Sequence, residues 1–391
     1  MASVKDLTAF GITIETCRLI SEKDFTRLVR QGGKPIVGDI LIAKDGATAL
    51  DTVCEIKRPI DVVLLSSVAI IRPNQEKVTS TYLKYYLESP NTRSYMKGAF
   101  ISGAAIPRVV LKDFKRVTIV LPPLPTQHKI THILSAYDDL IENNQRRIKI
   151  LEEIAQNIYR EWFVKFRFPG YEKAKMIDSS LGMIPEGWDV KPIGEVIQTL
   201  GGGTPSTKVP EYWTEGNVTW FTPSDLTQAN SMFIFNSAKR ITDKGLNGSS
   251  AKLFPPYCVM MTSRATIGVV AMNTKESCTN QGFIVCLPNK VIPSSMVYYW
   301  ILENKERIDN LASGATYKEI SRGEFRELLI IVPVPQITDL FQQIITPIFS
   351  EIGNILKRNN NLRTTRDMLL PKLISGEIDI SDLDIKVEDG E

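Results

Sequence analysis

The sequence predicts an α+β fold in which two mixed α/β modules are joined by two long helices that form an antiparallel intramolecular coiled coil. One block of sequence occurs twice: Ser102-Gly103-Ala104 with Phe114 recurs as Ser313-Gly314-Ala315 with Phe325. Each copy leads through prolines into a long segment whose apolar residues are spaced three and four apart, which is the period of a helix. This arrangement suits a protein that contacts two sites on one extended partner.

The composition is that of an ordinary globular protein, and 391 residues leave room for two or three domains. The formal net charge is only +3, so a basic surface must arise from an uneven distribution of charge. The five cysteines are odd in number and form no Cys-x-x-Cys pair, which predicts reduced thiols. Neither a signal-peptide pattern nor an apolar run of about 18 residues occurs, so we expect a cytoplasmic protein.

Residues 1–122 are predicted to form the first module. Short apolar strands are expected at 39–43, 62–65 and 69–71, because glycine, aspartate and proline bound these runs. A helix is expected over 82–89, where the apolar side chains share one face. Aligning Gly38 with Pro256 places Met1 close to residue 219. The first module therefore looks shortened at its N-terminal side, with no counterpart of the glycine-rich loop that opens the second.

The first long helix is expected over 123–168, with Thr126 as its N-cap after Pro122-Pro123-Leu124-Pro125. Asn144 interrupts the apolar stripe, and a polar residue at such a position fixes the register of a coiled coil. A helix of this length cannot bury its stripe on itself, so it needs a partner helix. The stripe includes Ile141, Ile148, Leu151, Ile158 and Trp162.

That partner is expected in the same chain over 336–376, after Pro333-Val334-Pro335. Its stripe includes Ile344 or Ile345, then Ile348 and Ile355, and Asn359 falls at its middle as Asn144 does in the first helix. Core helices of two ordinary domains are the alternative, but the length of both segments and their shared proline lead favour the coiled coil. The rest of the chain is predicted to comprise a linker at 169–183, a second module at 184–335 and an acidic tail at 377–391.

Several loops carry the hydroxyl and basic side chains that contact phosphates and base edges in DNA-binding proteins. The glycine-rich stretch 201–208 lacks the Gly-Lys-Ser/Thr arrangement of a phosphate-binding P-loop but has donors for DNA. Arg264 lies on a tight turn after an apolar strand, where a guanidinium group reaches guanine or a phosphate. Ordinary surface turns are the alternative. The candidate DNA contacts are Lys44, Thr48, Arg108, Lys112, Thr204, Ser206, Thr207, Lys208, Thr222, Ser224, Ser263, Arg264, Thr266, Tyr317, Lys318 and Arg322.

Asp45, Glu55 and Lys57 have the loose spacing of a metal-dependent nuclease, in which carboxylates bind Mg²⁺ and a lysine polarises water. The second module keeps nothing like this set, so a solvated charged strand is the simpler interpretation. The chain has only two histidines, and the sequence pairs no nucleophilic side chain with a general base. It therefore offers few side chains for acid–base or nucleophilic catalysis. We expect no catalytic, metal or cofactor site in this chain.

Three stretches resemble the specificity subunit of type I restriction–modification systems, and the resemblance covers nearly the whole chain. Leu121-Pro122-Pro123-Leu124-Pro125-Thr126-Gln127, continuing to Tyr159-Arg160-Glu161-Trp162-Phe163, is similar to the central conserved region of that family. Gly203-Thr204-Pro205-Ser206, with Thr222-Pro223-Ser224-Asp225-Leu226, resembles the opening of a target-recognition domain. Leu370-Pro371-Lys372-Leu373-Ile374-Ser375-Gly376-Glu377-Ile378 resembles the distal conserved region.

The resemblance implies a non-catalytic DNA-binding subunit in which each target-recognition domain reads one half of a split DNA sequence. The two helices would set the gap between the halves and dock two methylation subunits, which bring S-adenosylmethionine. A restriction subunit with ATP- and Mg²⁺-dependent activity would join that complex, and no membrane would be involved. The shortened first module departs from the family pattern. A stand-alone nuclease and a coiled-coil scaffold without DNA contact are the alternatives.

Overall fold

The computed structural model describes residues 1–102, 107–264, 266–312 and 318–385. The chain divides into two compact units, Met1–Arg146 with Lys357–Glu391 (unit 1) and Arg147–Leu356 (unit 2). The division falls inside both long helices rather than at the ends of the modules. Each unit therefore combines one module with a segment from each helix.

Unit 1 is built on a three-stranded antiparallel sheet that has helices on one face. Its strands follow the spatial order β4-β3-β5, with Ile40 opposite both Glu55 and Ile71. One apolar core lies between the sheet and helices α2, α3 and α5, and a second covers the other sheet face. The elements are β1 (Leu7–Thr8), β2 (Gly11–Ile12), α1 (Glu22–Arg30), β3 (Ile40–Ala43), β4 (Val53–Glu55), β5 (Val68–Ile71), α2 (Ser80–Glu88), α3 (Pro90–Phe100), α4 (Leu111–Phe114) and α5 (Leu124–Tyr159).

The strand predicted at 62–65 is wrong, and strand β4 was not predicted. Only Leu64 of this run forms a β-bridge, with Ala2, and the hydrogen bonds of the run go to separate places rather than to one neighbouring strand. The N–H of Leu64 donates to Gly33, and the N–H of Leu65 donates to Ala2. Burial of Val62 and Val63 explains their apolar character without a ladder of backbone hydrogen bonds.

Unit 2 contains a five-stranded mixed sheet of order β11-β14-β13-β16-β9 and a three-stranded sheet of order β12-β10-β15. Its main core lies between the larger sheet, helix α9 and the segments of the two long helices. The elements are β6 (Met176–Ser179), β7 (Gly182–Pro185), β8 (Asp189–Pro192), α6 (Ile193–Val196), β9 (Gln198–Gly201), β10 (Val218–Phe221), α7 (Pro223–Ala229), β11 (Phe233–Ile234), β12 (Lys239–Ile241), α8 (Asp243–Asn247), β13 (Val259–Thr262), β14 (Val270–Asn273), β15 (Ser277–Thr279), β16 (Phe283–Leu287), α9 (Ser294–Glu303), α10 (Lys305–Leu311), α11 (Arg322–Arg326) and β17 (Leu329–Val332).

The segment predicted as a polar linker at 169–183 contains ordered structure. Strands β6 and β7 form a hairpin in which Met176 is opposite Pro185. Ile184 and Trp188 are buried, and Trp188 stacks on Phe168 with ring centroids 5.2 Å apart. An aromatic anchor at each end thus holds the hairpin, which a reading of local polarity does not detect.

The two long helices, α5 and α12 (Pro335–Ser375), run antiparallel. In unit 1 the amide of Asn144 donates to the side chain of Asn359 at 2.8 Å, and both residues are buried. In unit 2 the rings of Phe163 and Phe341 pack edge to face with centroids 4.9 Å apart. The residue numbers rise along one helix as they fall along the other, so the predicted coiled-coil pairing is confirmed.

Helix α5 begins at Leu124, two positions before the predicted N-cap Thr126. The carbonyl of Pro123 already accepts from the N–H groups of Thr126 and Gln127, so Thr126 lies inside the first turn. The side chain of Gln127 is buried and donates to the carbonyls of Lys77 and Pro122. At its other end α5 continues as one π-helical turn over Arg160–Val164.

Ile345, not Ile344, occupies the buried position of the second stripe. Ile345 is 0% exposed and Ile344 is 42% exposed. The spacing of the sequence allowed either residue to face the core, because one helical turn after the preceding stripe residue is a step of three or of four. Ile141, Ile148, Trp162 and Ile355 are buried as predicted, and Leu151, Ile158 and Ile348 pack at the border of the core.

A buried ionic cluster ties α2 to both long helices in unit 1. Asp138 of α5 accepts from Lys84 at 3.1 Å, Tyr85 at 2.8 Å and Arg366 of α12 at 2.5 Å. Burial alone would raise the pKa of the Asp138 carboxyl, but the charges of Lys84 and Arg366 lower it below its usual value. The cluster therefore holds a charged carboxylate, and its cations compensate the cost of burial.

Candidate nucleic-acid interface

Five segments of unit 2 converge on one surface, which we call the loop face: residues 201–208, 222–225, 263–266, 280–282 and 318–322. Backbone hydrogen bonds link four of these segments, directly or through the adjacent Thr279. The N–H of Gly203 donates to Thr279, the N–H of Ser263 donates to Gly282, and the N–H of Ile320 donates to Ser263. Residues that are far apart in the chain are thus held side by side. Ala265 lies outside the described residues.

The glycine-rich loop depends on glycine because its backbone lies directly against neighbouring backbone. A Cβ atom at Gly202 would stand 2.0 Å from the Asn280 carbonyl oxygen, and one at Gly203 would stand 2.3 Å from the Ala251 nitrogen. This close approach anchors the base of the loop. Its tip is exposed, and Thr204, which bonds to Gln281 at 2.6 Å, anchors one side. The exposed candidate contacts here are Thr204, Ser206, Thr207 and Lys208.

Ser263, a predicted DNA contact, is only 3% exposed, which contradicts that prediction. Its N–H and carbonyl both take part in the backbone series that joins Gly282 to Ile320, and its side chain turns inward. The neighbouring Arg264 is exposed, and its Nε lies 2.7 Å from a carboxylate oxygen of Glu319. Thr266 is exposed, and its carbonyl accepts from the Thr262 hydroxyl.

The remaining candidates in unit 2 differ in their availability. Thr222 is half-buried and closes the N-terminus of α7, where it shares a reciprocal capping box with Asp225. Ser224, Lys318 and Arg322 are exposed. Tyr317, with the repeated Ser313-Gly314-Ala315 motif, lies outside the described residues, as do residues 103–106 of the first copy.

The loop face carries exposed basic side chains although the chain as a whole is nearly neutral. Lys208, Arg264, Lys318 and Arg322 are exposed on it, and Glu319 partly neutralises Arg264. Such a concentration of cations attracts a polyanion such as the phosphate backbone of DNA. The hydroxyl groups around them supply short-range donors.

Unit 1 repeats the backbone connections of the loop face at residues 44–48 and 108–112, which we call the loop face of unit 1. The N–H of Lys44 donates to Ser67, and the N–H of Val109 donates to Lys44, as Ser263 bonds to Gly282 and Ile320. Ser3 and Asp6 form the capping box that Thr222 and Asp225 form in unit 2. Internal duplication therefore extends to individual hydrogen bonds, and Lys44 occupies the inward position of Ser263.

The same ion pair occurs in both units with its charges exchanged. In unit 1 Asp45 stands where Arg264 stands in unit 2, and Arg108 replaces Glu319; the Arg108 Nε lies 3.1 Å from Asp45. Lys44 also pairs with Asp45 at 3.1 Å and is mostly buried, so it is poorly placed for direct DNA contact. Arg108, Thr48 and Lys112, the other candidate DNA contacts of unit 1, are exposed.

The nuclease alternative has no common site in the structure. Glu55 is opposite Ile40 at the start of β3, whereas Asp45 follows the end of that strand, roughly 16 Å away by strand geometry. Glu55 accepts from Thr81, and Lys57 pairs with Asp139 on α5. Among the described residues, no group of three or more His, Cys, Asp or Glu side chains is positioned to hold a metal ion.

Several apolar side chains on the long helices of unit 2 remain uncovered. Ile150 and Ile154 lie one turn apart on α5, and Leu340 and Ile344 lie one turn apart on α12; all four are exposed. Of these four, the sequence stripe included only Ile344, as the alternative to Ile345, since its spacing describes the inward face. Within the parts of the chain that the structure describes, no helix is long and apolar enough to cross a membrane.

Residues 27–153 and 185–364 match the model of a protein family described as the type I restriction modification DNA specificity domain. Two such domains, each continuing into a long helix, define a DNA-specificity class of protein. The chain belongs to the family of type I restriction–modification specificity subunits.

Named relatives agree with this assignment. The chain is 32% identical over 204 residues to the type I restriction enzyme MjaIX specificity subunit of Methanocaldococcus jannaschii. The aligned region covers 51% of this chain and 46% of that protein. The chain is 25% identical over 376 residues to the HindI specificity subunit of Haemophilus influenzae, covering 81% of each. The chain thus spans about half the length of the first relative. A crystal structure of the type I S subunit from M. genitalium shares the fold, with a TM-score of 0.54 at 14% identity, over 87% of this chain and 83% of that one.

Proposed function

We propose that the chain is the non-catalytic subunit that reads a split DNA sequence for a type I restriction–modification complex. The observation that supports this most is the duplicated loop face, in which the same backbone connections carry different side chains. Two similar frames with unlike contact residues suit the reading of two different half-sites. In this proposal residues 1–122 and 184–335 are the two target-recognition domains.

Direct readout would come from the exposed residues of each face. Arg264 and Arg108 each have a guanidinium group free enough to reach a base edge or a phosphate, while their acidic partners hold them in orientation. Lys112, Lys208, Lys318 and Arg322 would contact phosphates and fix the register on the duplex. Thr48, Thr204, Ser206, Thr207, Ser224 and Thr266 would supply hydroxyl contacts.

The long helices would dock two methylation subunits, and a restriction subunit would join them. The exposed apolar residues on α5 and α12 favour a protein partner there, because such side chains gain from removal from water. S-adenosylmethionine, ATP and Mg²⁺ would belong to those partners. The complex would work in the cytoplasm, where the chromosome lies.

The proposal is tested by mapping methylated bases in cells that express this chain with its methylation subunit. We expect a two-part motif. The Arg264→Ala variant should relax the sequence requirement in one half, and the Arg108→Ala variant should relax the other half. Lys175→Ala is the matched control, since Lys175 is an exposed cation paired with Glu186 outside both loop faces. A single undivided motif, or relaxation of both halves by one arginine variant, contradicts the assignment.

The two alternatives give different results with the purified chain. DNA affinity that falls steeply with salt supports the DNA-reading subunit, whereas a scaffold without DNA contact shows none. Mg²⁺-dependent cleavage by the pure chain, abolished by Glu55→Ala, would favour the nuclease.

A further inference from the structure

The loop at the centre of the loop face carries an exposed glutamine. Residues 280–282 connect β15 to β16. Backbone hydrogen bonds join the residue before this loop to Gly203, and the last residue of the loop to Ser263. The loop therefore lies between the glycine-rich stretch and the segment that carries Arg264. Its middle residue is Gln281, which is exposed.

The backbone is fixed on both sides of Gln281. On one side the N–H of Asn280 donates to the carbonyl of Phe221 at 3.0 Å. On the other side the N–H of Gly282 donates to the side-chain oxygen of Asn280 at 2.9 Å. A Cβ atom at Gly282 would stand 3.0 Å from the ring of Pro223, so this residue is closely packed as well. Because both neighbours are bonded and packed, the Cα of Gln281 has a set position, as a residue that reads one base requires.

The side chain of Gln281 is oriented by one hydrogen bond and keeps further capacity. The hydroxyl of Thr204 donates to its Oε1 at 2.6 Å. A carbonyl oxygen has two lone pairs, so Oε1 can accept a second hydrogen bond, and the NH₂ group has two hydrogens to donate. No described residue accepts from this NH₂ group. The amide thus presents an acceptor and a donor side by side.

Unit 1 contains a loop with the same backbone bonds, residues 65–67. Its first N–H donates to Ala2, and its last carbonyl accepts from Lys44. The first N–H and the last carbonyl of 280–282 are bonded in the same way in unit 2. The middle residue of 65–67 is Ser66, which is exposed too. One backbone frame therefore presents an amide in one unit and a hydroxyl in the other, as two readers of different sequences require.

A primary amide matches adenine better than any other base of DNA. The major-groove edge of adenine presents an amino group that donates and a ring nitrogen, N7, that accepts. The Gln281 amide can accept from the first and donate to the second at once. Guanine presents two acceptors at the same places, so its O6 would face the amide oxygen and repel it. Cytosine and thymine each lack one of the two groups.

We propose that Gln281 is a specificity-determining residue that requires an adenine at one position of the half-site read by unit 2. This inference rests on the proposed DNA-reading function and deepens it by naming a base. Arg264, on the adjacent segment, would contact the same half-site at another place. Ser66 would present a hydroxyl, which both donates and accepts, to the equivalent position of the other half-site.

The first test maps methylated bases in cells that express the full chain with its methylation subunit. The wild-type motif should contain an adenine, on one strand or the other, in the half that Arg264→Ala relaxes. The Gln281→Ala variant should accept any base at that one position, because the alanine makes no hydrogen bond to a base edge. All other positions, including the whole of the other half, should stay as they are.

Gln198→Ala is the matched control for this experiment. Gln198 is also an exposed glutamine of unit 2, and it lies opposite Leu287 at the far end of β16. Six residues of strand separate that end from Gln281, which is roughly 20 Å. The Gln198→Ala variant should therefore leave the motif unchanged.

The second test measures the contact itself with the purified complex of the full chain and its methylation subunit. In the target duplex the adenine identified by Gln281→Ala is replaced by 7-deazaadenine, which keeps the base pair but has C–H in place of N7. The wild-type complex should bind the modified duplex about tenfold more weakly, since one hydrogen bond is lost. The Gln281→Ala complex should bind both duplexes equally, a result that a purely structural role of Gln281 does not produce.

The outcomes separate this inference from the function on which it rests. If the wild type gives a two-part motif and Gln281→Ala leaves it unchanged, Gln281 reads no base, while the DNA-reading function stands. Relaxation at a G·C pair would refute the choice of adenine. An equal effect of 7-deazaadenine on both complexes would assign N7 to another residue. A wild type without any two-part motif would contradict the proposed function and this inference with it.

Discussion

Single side chains in this protein behave according to what surrounds them rather than to their type. Glu152, on α5, has no hydrogen-bond or ion-pair partner among the described residues, and burial raises the pKa of its carboxyl to about 7. Burial raises the pKa values of Tyr298 and Tyr299, and the nearby Glu152 charge raises them further. When this carboxyl is charged, its burial destabilises the folded protein.

We predict that Glu152→Gln stabilises the protein above neutral pH. The folded-state pKa lies above the ordinary value of 4.5, so the folded state binds more protons between the two, and the free energy of unfolding falls as pH rises through that window. The glutamine variant should remove up to about 3 kcal/mol of this loss. Urea unfolding at about pH 5 and about pH 8 measures the effect.

Glu153→Gln is the matched control, because Glu153 is an exposed neighbour on the same helix. It should leave the pH dependence of unfolding unchanged. Parallel pH profiles for wild-type protein and the Glu152→Gln variant would contradict the prediction.

Glu319 tunes the charge available to DNA at the loop face of unit 2. Glu319→Gln removes the carboxylate beside Arg264, so one more full positive charge faces the phosphates. We expect tighter DNA binding at low salt, and a slope of log affinity against log salt steeper by about 0.9. Glu186→Gln frees Lys175 outside the loop face and should change neither quantity. An unchanged slope for Glu319→Gln would place Arg264 away from the DNA.

At the scale of elements, adjacent residues of a long helix lie on opposite faces, one buried and one exposed. Ile345 is buried in the core of unit 2, and Ile344 is exposed one position earlier. The same substitution at both positions therefore distinguishes folding from docking.

We predict that Ile345→Asp lowers the free energy of unfolding by about 3 kcal/mol or more, since it buries a charge without a partner. Ile344→Asp should change stability by less than about 0.5 kcal/mol but weaken association with the methylation subunit. Chemical unfolding and co-purification measure the two effects. Normal association of the Ile344→Asp variant would remove this residue from the docking surface.

Asn144 and Asn359 form a contact that lowers stability but specifies how the two long helices align. A buried asparagine pair contributes less than a leucine pair would, but it is satisfied only in one alignment of the two helices. The buried cluster around Asp138 acts in the same unit and also requires its own partners. We infer that both contacts fix the register of α5 against α12.

At the scale of the whole molecule, the two loop faces belong to separate units and should act independently. Arg108→Ala and Arg264→Ala are each expected to cost about 1–3 kcal/mol of discrimination at their own half-site. The double variant should lose the sum of the two within about 0.5 kcal/mol, as expected for sites that do not interact. Binding to targets altered in one half or both measures the energies. A larger coupling energy would mean that the two faces bind one site.

Much of the architecture was predictable because it depends on local pattern. Helix period, proline leads and the central asparagines predicted α5, α12 and their pairing, and the repeated motifs predicted two related modules. Most of the candidate DNA contacts lie on exposed loops, as loop sequences rich in Gly, Ser, Thr and Lys suggest. The hairpin at 176–185 and the irregular run at 62–65 were missed, because their partners are distant in the chain.

The duplication, the two long helices and the family of the chain could all be predicted from the sequence, since each depends on neighbouring residues or on a fixed period along the chain. The three-dimensional contacts were needed to show which of two adjacent isoleucines is buried, that Ser263 turns inward and that Asp45 holds Arg108. These outcomes depend on contacts between residues far apart in the chain. Their free energies come from burial and hydrogen bonding, which spacing along the chain does not encode.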